Sequence, residues 1–161
     1  MAIVEDALFD DVADVMRGMT PAELGDLHCR AHRYGIKVWF GPEKPTREHY
    51  EAQVIGAKEV KQAKVLALEV GFHSEYAKPA ENDAVIDHLL ASEKKWRRTL
   101  GKEAEVGPFL GRADNWRRVS ETWADPDLSD EEMAMEIATR LVDYVSAIEP
   151  VRRTRSVASA T

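Results

Sequence analysis

The sequence predicts an α+β domain, an antiparallel β-sheet packed against helices in the order α-α-β-β-β-α-β-β-α. Three observations carry that expectation. Residues 65–75 alternate, with Leu66, Leu68, Val70 and Phe72 on one side and Ala67, Glu69, Gly71, His73 and Glu75 on the other. Two segments near the ends instead space their apolar residues by three and four, which is the stripe of an amphipathic helix. Finally, the 161-residue chain is 44% hydrophobic and 32% charged, enough apolar material for one self-sufficient core.

Taken in order, Val4, Leu8, Val12, Val15, Met16 and Met19 form the first helical stripe, ending near Gly18. Thr20-Pro21-Ala22-Glu23 then has the form of a capping box with proline at the first helical position. A second helix is expected there, carrying Leu24, Leu27 and Ala31 inward and stopping at Gly35. Ile36, Val38 and Phe40 alternate with Lys37 and Trp39 before Gly41-Pro42, a short strand. Residues 48–56 alternate as well, His49, Glu51 and Gln53 against Tyr50, Ala52 and Val54. Period favours a strand here, while Glu, Ala and Gln favour a helix by propensity.

After the strand at 65–75, Pro79 breaks the pattern and Asn82 is placed to cap a third helix, with Val85, Ile86, Leu89, Leu90, Trp96 and Leu100 inward and Gly101 at its close. Residues 106–110 and 116–123 read as two further strands. Ser129-Asp130-Glu131-Glu132 forms another capping box, followed by Met133, Ile137, Leu141, Tyr144, Val145 and Ile148 on one stripe. That helix is expected to end before Pro150. The single domain therefore spans 1–150, and 151–161, with Arg152, Arg153 and Arg155 and no apolar pattern, is expected as a disordered basic tail. Thr154 and Ser156 in that tail are candidate phosphorylation positions, a plain solvated terminus being the simpler account.

Composition also bounds function. No apolar run approaches the roughly 20 residues of a membrane-spanning helix, and the N-terminus lacks the pattern of an export signal, so a cytoplasmic protein without a membrane partner is expected. One cysteine, Cys29, allows no internal disulfide and no multi-cysteine metal site. A net charge of −7 argues against a nucleic-acid partner. The pairs Trp96-Arg97-Arg98 and Trp116-Arg117-Arg118 have the chemistry to stack on bases and grip phosphate, but burying each tryptophan and pairing each arginine with a carboxylate explains them more simply. His28 and His32 lie four apart on the expected second helix, yet two ligands make no site. The scattered glycines form no phosphate loop, and no serine has a visible triad.

One constellation remains. If the strands at 48–56 and 65–75 are neighbours, His49, Glu51, Glu69, His73 and Glu75 share a sheet face and offer nitrogen and oxygen ligands to a divalent transition metal. The plainer reading leaves that face wet, because an antiparallel sheet needs polar residues wherever it is not core.

The order helix, three strands, helix, two strands, helix over residues 21–150, with the acidic pI and the amphipathic helix at 133–148, resembles the class I type III secretion chaperones. The resemblance implies a dimer that offers apolar grooves to an extended segment of a protein partner, without catalysis and without a cofactor. No binding motif carries across, and the helix at 4–19 departs from that plan. The leading expectation is thus a non-enzymatic, chaperone-like adaptor, a possible homodimer, with Trp39, Phe109 and Trp123 as exposed aromatic anchors for its partner. The rival is a metal-dependent hydrolase or nuclease centred on the His/Glu face, its histidines and carboxylates ligating and one glutamate serving as base.

Overall fold

A computed structural model describes residues 4–155. Its elements are α1 (Leu8–Met19), β1 (Leu27–His32), β2 (Gly35–Phe40), β3 (Glu48–Gly56), β4 (Leu66–Ser74), α2 (Pro79–Leu90), α3 (Glu93–Leu100), β5 (Glu105–Phe109), β6 (Arg112–Ala124) and α4 (Met133–Arg152). The six strands form one antiparallel sheet in the order β1-β2-β3-β4-β6-β5. The α+β expectation holds, with an antiparallel sheet against helices.

Cross-strand pairing explains why the core sits where it does. Ile36 faces Ala52 and Val38 faces Tyr50 across β2 and β3, while Tyr50 faces Phe72 and Ala52 faces Val70 across β3 and β4. Phe72 in turn faces Val119 on β6. These residues are buried together with Leu8, Phe9, Val12 and Met16 of α1, Val85 and Leu89 of α2, Trp96 and Leu100 of α3, and Ile137, Leu141, Tyr144, Val145 and Ile148 of α4. The period-two residues of the sheet and the three-four stripes of the helices thus meet in one core. The alternation at 48–56 prevails over helix propensity because Tyr50 and Ala52 each find an apolar partner on both neighbouring strands.

Four expectations need correction. Thr20-Pro21 starts only a 3-10 turn, Ala22–Leu24, after which Gly25 at φ +94° redirects the chain. Residues 27–32 then form β1 instead of a second helix, with Cys29 opposite Val38 and Ala31 opposite Ile36. The helix that would have opened the chaperone-like order is therefore a strand. The third helix is two, since the chain breaks at Ala91 and Ser92 and Trp96 folds back so that its indole N–H donates to the Leu89 carbonyl at 2.8 Å. Asn82 does not cap it but lies buried inside α2, tying Ser74, Tyr76 and the Asn115 carbonyl together. Nor does the Ser129 box cap α4, whose N-cap is Glu132; Ser129 bonds to Asp127 instead.

The boundary at Pro150 also moves. A proline near a helix C-terminus forfeits only one backbone hydrogen bond, and α4 continues to Arg152 because Arg152 and Arg153 both clamp the buried Glu149 carboxylate. Arg155 lies 3.5 Å from Glu48, so the first basic residues of the expected tail pack on the domain. Ser156 and the rest of 156–161 lie outside the described residues. Among those described, no helix is long and apolar enough to cross a membrane.

Candidate metal centre

β3 and β4 each carry the pattern His-x-Glu, His49 with Glu51 and His73 with Glu75. Alternation puts all four side chains on the sheet face opposite the core. The register places His49 directly across from His73. Glu75 lies one residue beyond β4, yet its N–H donates to the Arg47 carbonyl at 2.9 Å, which prolongs the ladder and keeps its side chain on the same face. One donor atom from each of the four residues lies within 4.8 Å of the others.

The face is not wet. His73 is 0% exposed and His49 1%, while the Glu51 and Glu75 side chains retain 13% and 12%. The cover comes from the β5–β6 hairpin, where Phe109 meets the His73 ring edge-on at 4.5 Å and Trp116 in turn packs edge-on against Phe109. The sheet curls this hairpin over its own polar face, which alternation along single strands cannot reveal.

The two imidazoles are held from outside. His49 Nδ1 is 2.8 Å from the Thr46 carbonyl. A carbonyl can only accept, so Nδ1 carries a proton, while Nε2 lies in hydrogen-bond geometry with Glu75 Oε2 at 3.1 Å and 3.2 Å from Glu51 Oε1. His73 presents Nδ1 to the same oxygens, 3.5 Å from Glu51 and 3.3 Å from Glu75, and Nε2 to Glu69 at 3.1 Å. None of these His73 contacts is aligned as a hydrogen bond, and both its ring nitrogens lack a hydrogen-bonding partner among the described residues. Nδ1 thus has two carboxylate oxygens within 3.5 Å and a hydrogen bond to neither.

Glu69 is fully buried; it accepts from Gln53 Nε2 at 2.8 Å and from Ser120 Oγ at 2.7 Å. Ser120 Oγ itself accepts from Arg118 Nη1 at 2.8 Å.

Electrostatically this is a nest of anions around two rings. Burial by itself favours the neutral imidazole, but Glu69, Glu51 and Glu75 outweigh it and hold the His73 pKa well above its ordinary value; Glu51 and Glu75 raise His49 in the same way. The carboxylates respond inversely. Burial works to raise them, yet the histidines pull Glu75 down to about 2, as His73, Ser120 and Gln53 do for Glu69, and both histidines hold Glu51 far below the usual range. Ionised carboxylates facing ring nitrogens demand positive charge between them, from ring protons or from a metal cation. The four nitrogen-to-oxygen separations of 3.1 to 3.5 Å are of the size of the ligand-to-ligand edges, about 3.3–3.4 Å, that zinc bonds of about 2.0–2.1 Å give.

The structure thus gathers His49, Glu51, His73 and Glu75 into one cluster and sets Glu69 behind His73. The expected partner anchors are not the exposed aromatics they were expected to be. Trp39 is 3% exposed and donates its indole N–H to the Pro42 carbonyl, Phe109 covers His73, and Trp123 is half-buried and bonded to Glu121. His28 and His32 lie on β1, where His28 stacks on Trp39 and contacts the Gly41 carbonyl. Burial raises the Cys29 thiol, which suits a packed side chain more than a nucleophile. Trp96 is buried, Arg97 pairs with Glu93 and Arg117 with Asp83.

Sequence reasoning missed Thr46, Arg118 and Ser120. The signal for the last two was present, since Trp116, Arg118 and Ser120 share one side of an alternating run; what was lacking was the pairing of His73 with Arg118 and of Gly71 with Ser120. No protein-family model, curated protein or solved structure matches this chain.

Proposed function

We propose that this chain is a non-enzymatic metal-binding protein in which His49, Glu51, His73 and Glu75 hold one divalent transition-metal ion. The observation that carries the reading is the pair of in-register His-x-Glu motifs, with both rings turning a nitrogen between the same two ionised carboxylates. Imidazole with carboxylate suits zinc and its first-row neighbours over magnesium or calcium, which prefer all-oxygen shells.

Four protein donors favour a structural role over catalysis. Catalytic zinc sites characteristically use three protein ligands and keep a position for water, whereas structural sites complete their shell with side chains. Both histidines are buried, His73 under Phe109, away from any bulky substrate. An ion here fastens the start of β3 to the end of β4 and secures the hairpin above them. The adaptor reading loses support from its proposed anchors, of which Trp39 and Phe109 are buried.

The test is elemental analysis of the purified chain beside zinc and cobalt titrations of metal-stripped protein. One ion per chain, lost in both His49→Ala and His73→Ala variants, supports the proposal. Wild-type protein that takes up neither metal at micromolar concentration overturns it.

A further inference from the structure

The four ligands do not explain Glu69. A carboxylate at 0% exposure in the middle of a sheet is costly unless its charge is used. Its surroundings keep it anionic: Gln53 donates to Oε1 and Ser120 to Oε2, and Arg118 donates to Ser120 from behind. Arg118 is itself buried and spread over the Pro108 carbonyl, Ser120 and Glu105. This chain of donors runs toward Glu69 and stops there. Beyond it lies His73 Nε2, 3.1 Å away and off the ring N–H axis.

We infer that Glu69 is the positioning residue of the metal site, holding the proton of His73 on Nε2 so that Nδ1 offers its lone pair to the ion. This inference rests on the metal-binding reading above. With an ion between Nδ1 and the Glu51 and Glu75 oxygens, a bare Nε2 would face the ionised Glu69 carboxylate, so the ion-bound ring carries its hydrogen on Nε2. The Thr46 carbonyl does the same for His49 with the opposite nitrogens, fixing the proton on Nδ1 and freeing Nε2. The two histidines thus bind through different atoms, which lets two residues facing each other across an antiparallel pair converge on one point. Outer partners of this kind raise ligand basicity and fix ring orientation, and their loss commonly weakens metal binding by about 10- to 100-fold.

The test uses zinc titration of the full chain against a chromophoric chelator, together with long-range proton–nitrogen NMR of the zinc-loaded histidines. Glu69→Gln keeps the shape and removes the charge, and is expected to bind one zinc about 10- to 100-fold more weakly, with the metal-free fold unchanged by circular dichroism. Wild-type His73 is expected to show Nε2 protonated and Nδ1 bound. Should Glu69→Gln fail to fold, Ser120→Ala, which removes one of the two donors to Glu69, is expected to weaken zinc in the same direction by a smaller factor. Unchanged affinity in the variant that folds, or a zinc-loaded His73 protonated on Nδ1, overturns the inference while leaving the metal site standing. A wild-type chain that binds no zinc removes both.

Discussion

His49 and His73 face each other across β3 and β4 with ring centroids 5.8 Å apart and planes at 74°. Neither ring stacks on the other, because each is turned by a different outside group to aim one nitrogen at Glu51 and Glu75. An ion bound there belongs to the folded state alone, since the four ligands come together only when β3 and β4 pair.

Zinc is therefore expected to stabilise the protein by mass action. At a free concentration 100 times the dissociation constant the gain is about 2.7 kcal/mol, which for a chain of this size raises Tm by about 5–10 °C. Differential scanning fluorimetry with zinc and then with excess chelator checks this. His73→Ala should melt at the same temperature in both conditions, and a wild-type Tm indifferent to chelator would count against the site.

Glu149 carries another buried charge, away from the metal centre. It accepts from Tyr50 Oη at 2.8 Å, from Arg152 at 2.8 and 2.7 Å and from Arg153 at 2.8 Å. Burial works to raise its pKa, but Arg152, Arg153 and Tyr50 prevail and lower it from 4.5. A carboxyl depressed in the folded state contributes stability above its unfolded pKa and loses it as the pH falls through the folded value. Glu149→Gln should thus be less stable at pH 7, by about 2 kcal/mol, less than the 3–5 of a fully enclosed pair because both arginines retain solvent contact. Its deficit should shrink steadily below pH 4.5. Urea midpoints from pH 7 down to pH 3 measure it, and a deficit that stayed constant would assign the effect to packing instead of charge.

What the sequence disclosed, and what it withheld, follows from the range of the forces involved. Leu66, Leu68, Val70 and Phe72 announced β4 because alternation of apolar and polar residues is written along a single strand, although both faces of this one are buried. Residues 27–32 were misjudged because Leu24, Leu27 and Ala31 fit a helical spacing, and only the partner strand β2 settles the matter, placing Leu27, Cys29 and Ala31 opposite Phe40, Val38 and Ile36. The five site residues were legible as one polar face, since alternation is local. Their burial was not, because it depends on Phe109, thirty-six positions after His73 in the chain, folding back over that ring.

Gly71 is the position on β4 where this polar face can least tolerate a side chain. It stands between Glu51 on β3 and Ser120 on β6, and a Cβ added there would lie 2.4 Å from the Val119 carbonyl oxygen and 2.5 Å from Ser120 Cα. Backbone atoms on a paired strand cannot step aside cheaply. Gly71→Ala is expected to cost about 1–3 kcal/mol or more, and by pushing β6 away it also moves Ser120 from Glu69. Urea denaturation of metal-free protein reads the first effect and zinc affinity the second. A variant as stable as wild type would mean that β4 and β6 do not approach this closely.

Phe109 separates the cover of the site from its ligands. It touches His73 through carbon only, so replacing it leaves every donor atom in place. Phe109→Ala is expected to destabilise the domain by about 3 kcal/mol, the low end for a buried phenylalanine because the hairpin tip can relax. The zinc stoichiometry should remain one while the rate of zinc loss to excess chelator rises, since water reaches the His73 side of the shell once the ring is gone. Stopped-flow chelator competition measures that rate. If Phe109→Ala released zinc no faster than wild type, the ion would be exchanging past the partly exposed Glu51 and Glu75 carboxylates, and the hairpin would serve the fold without guarding the metal.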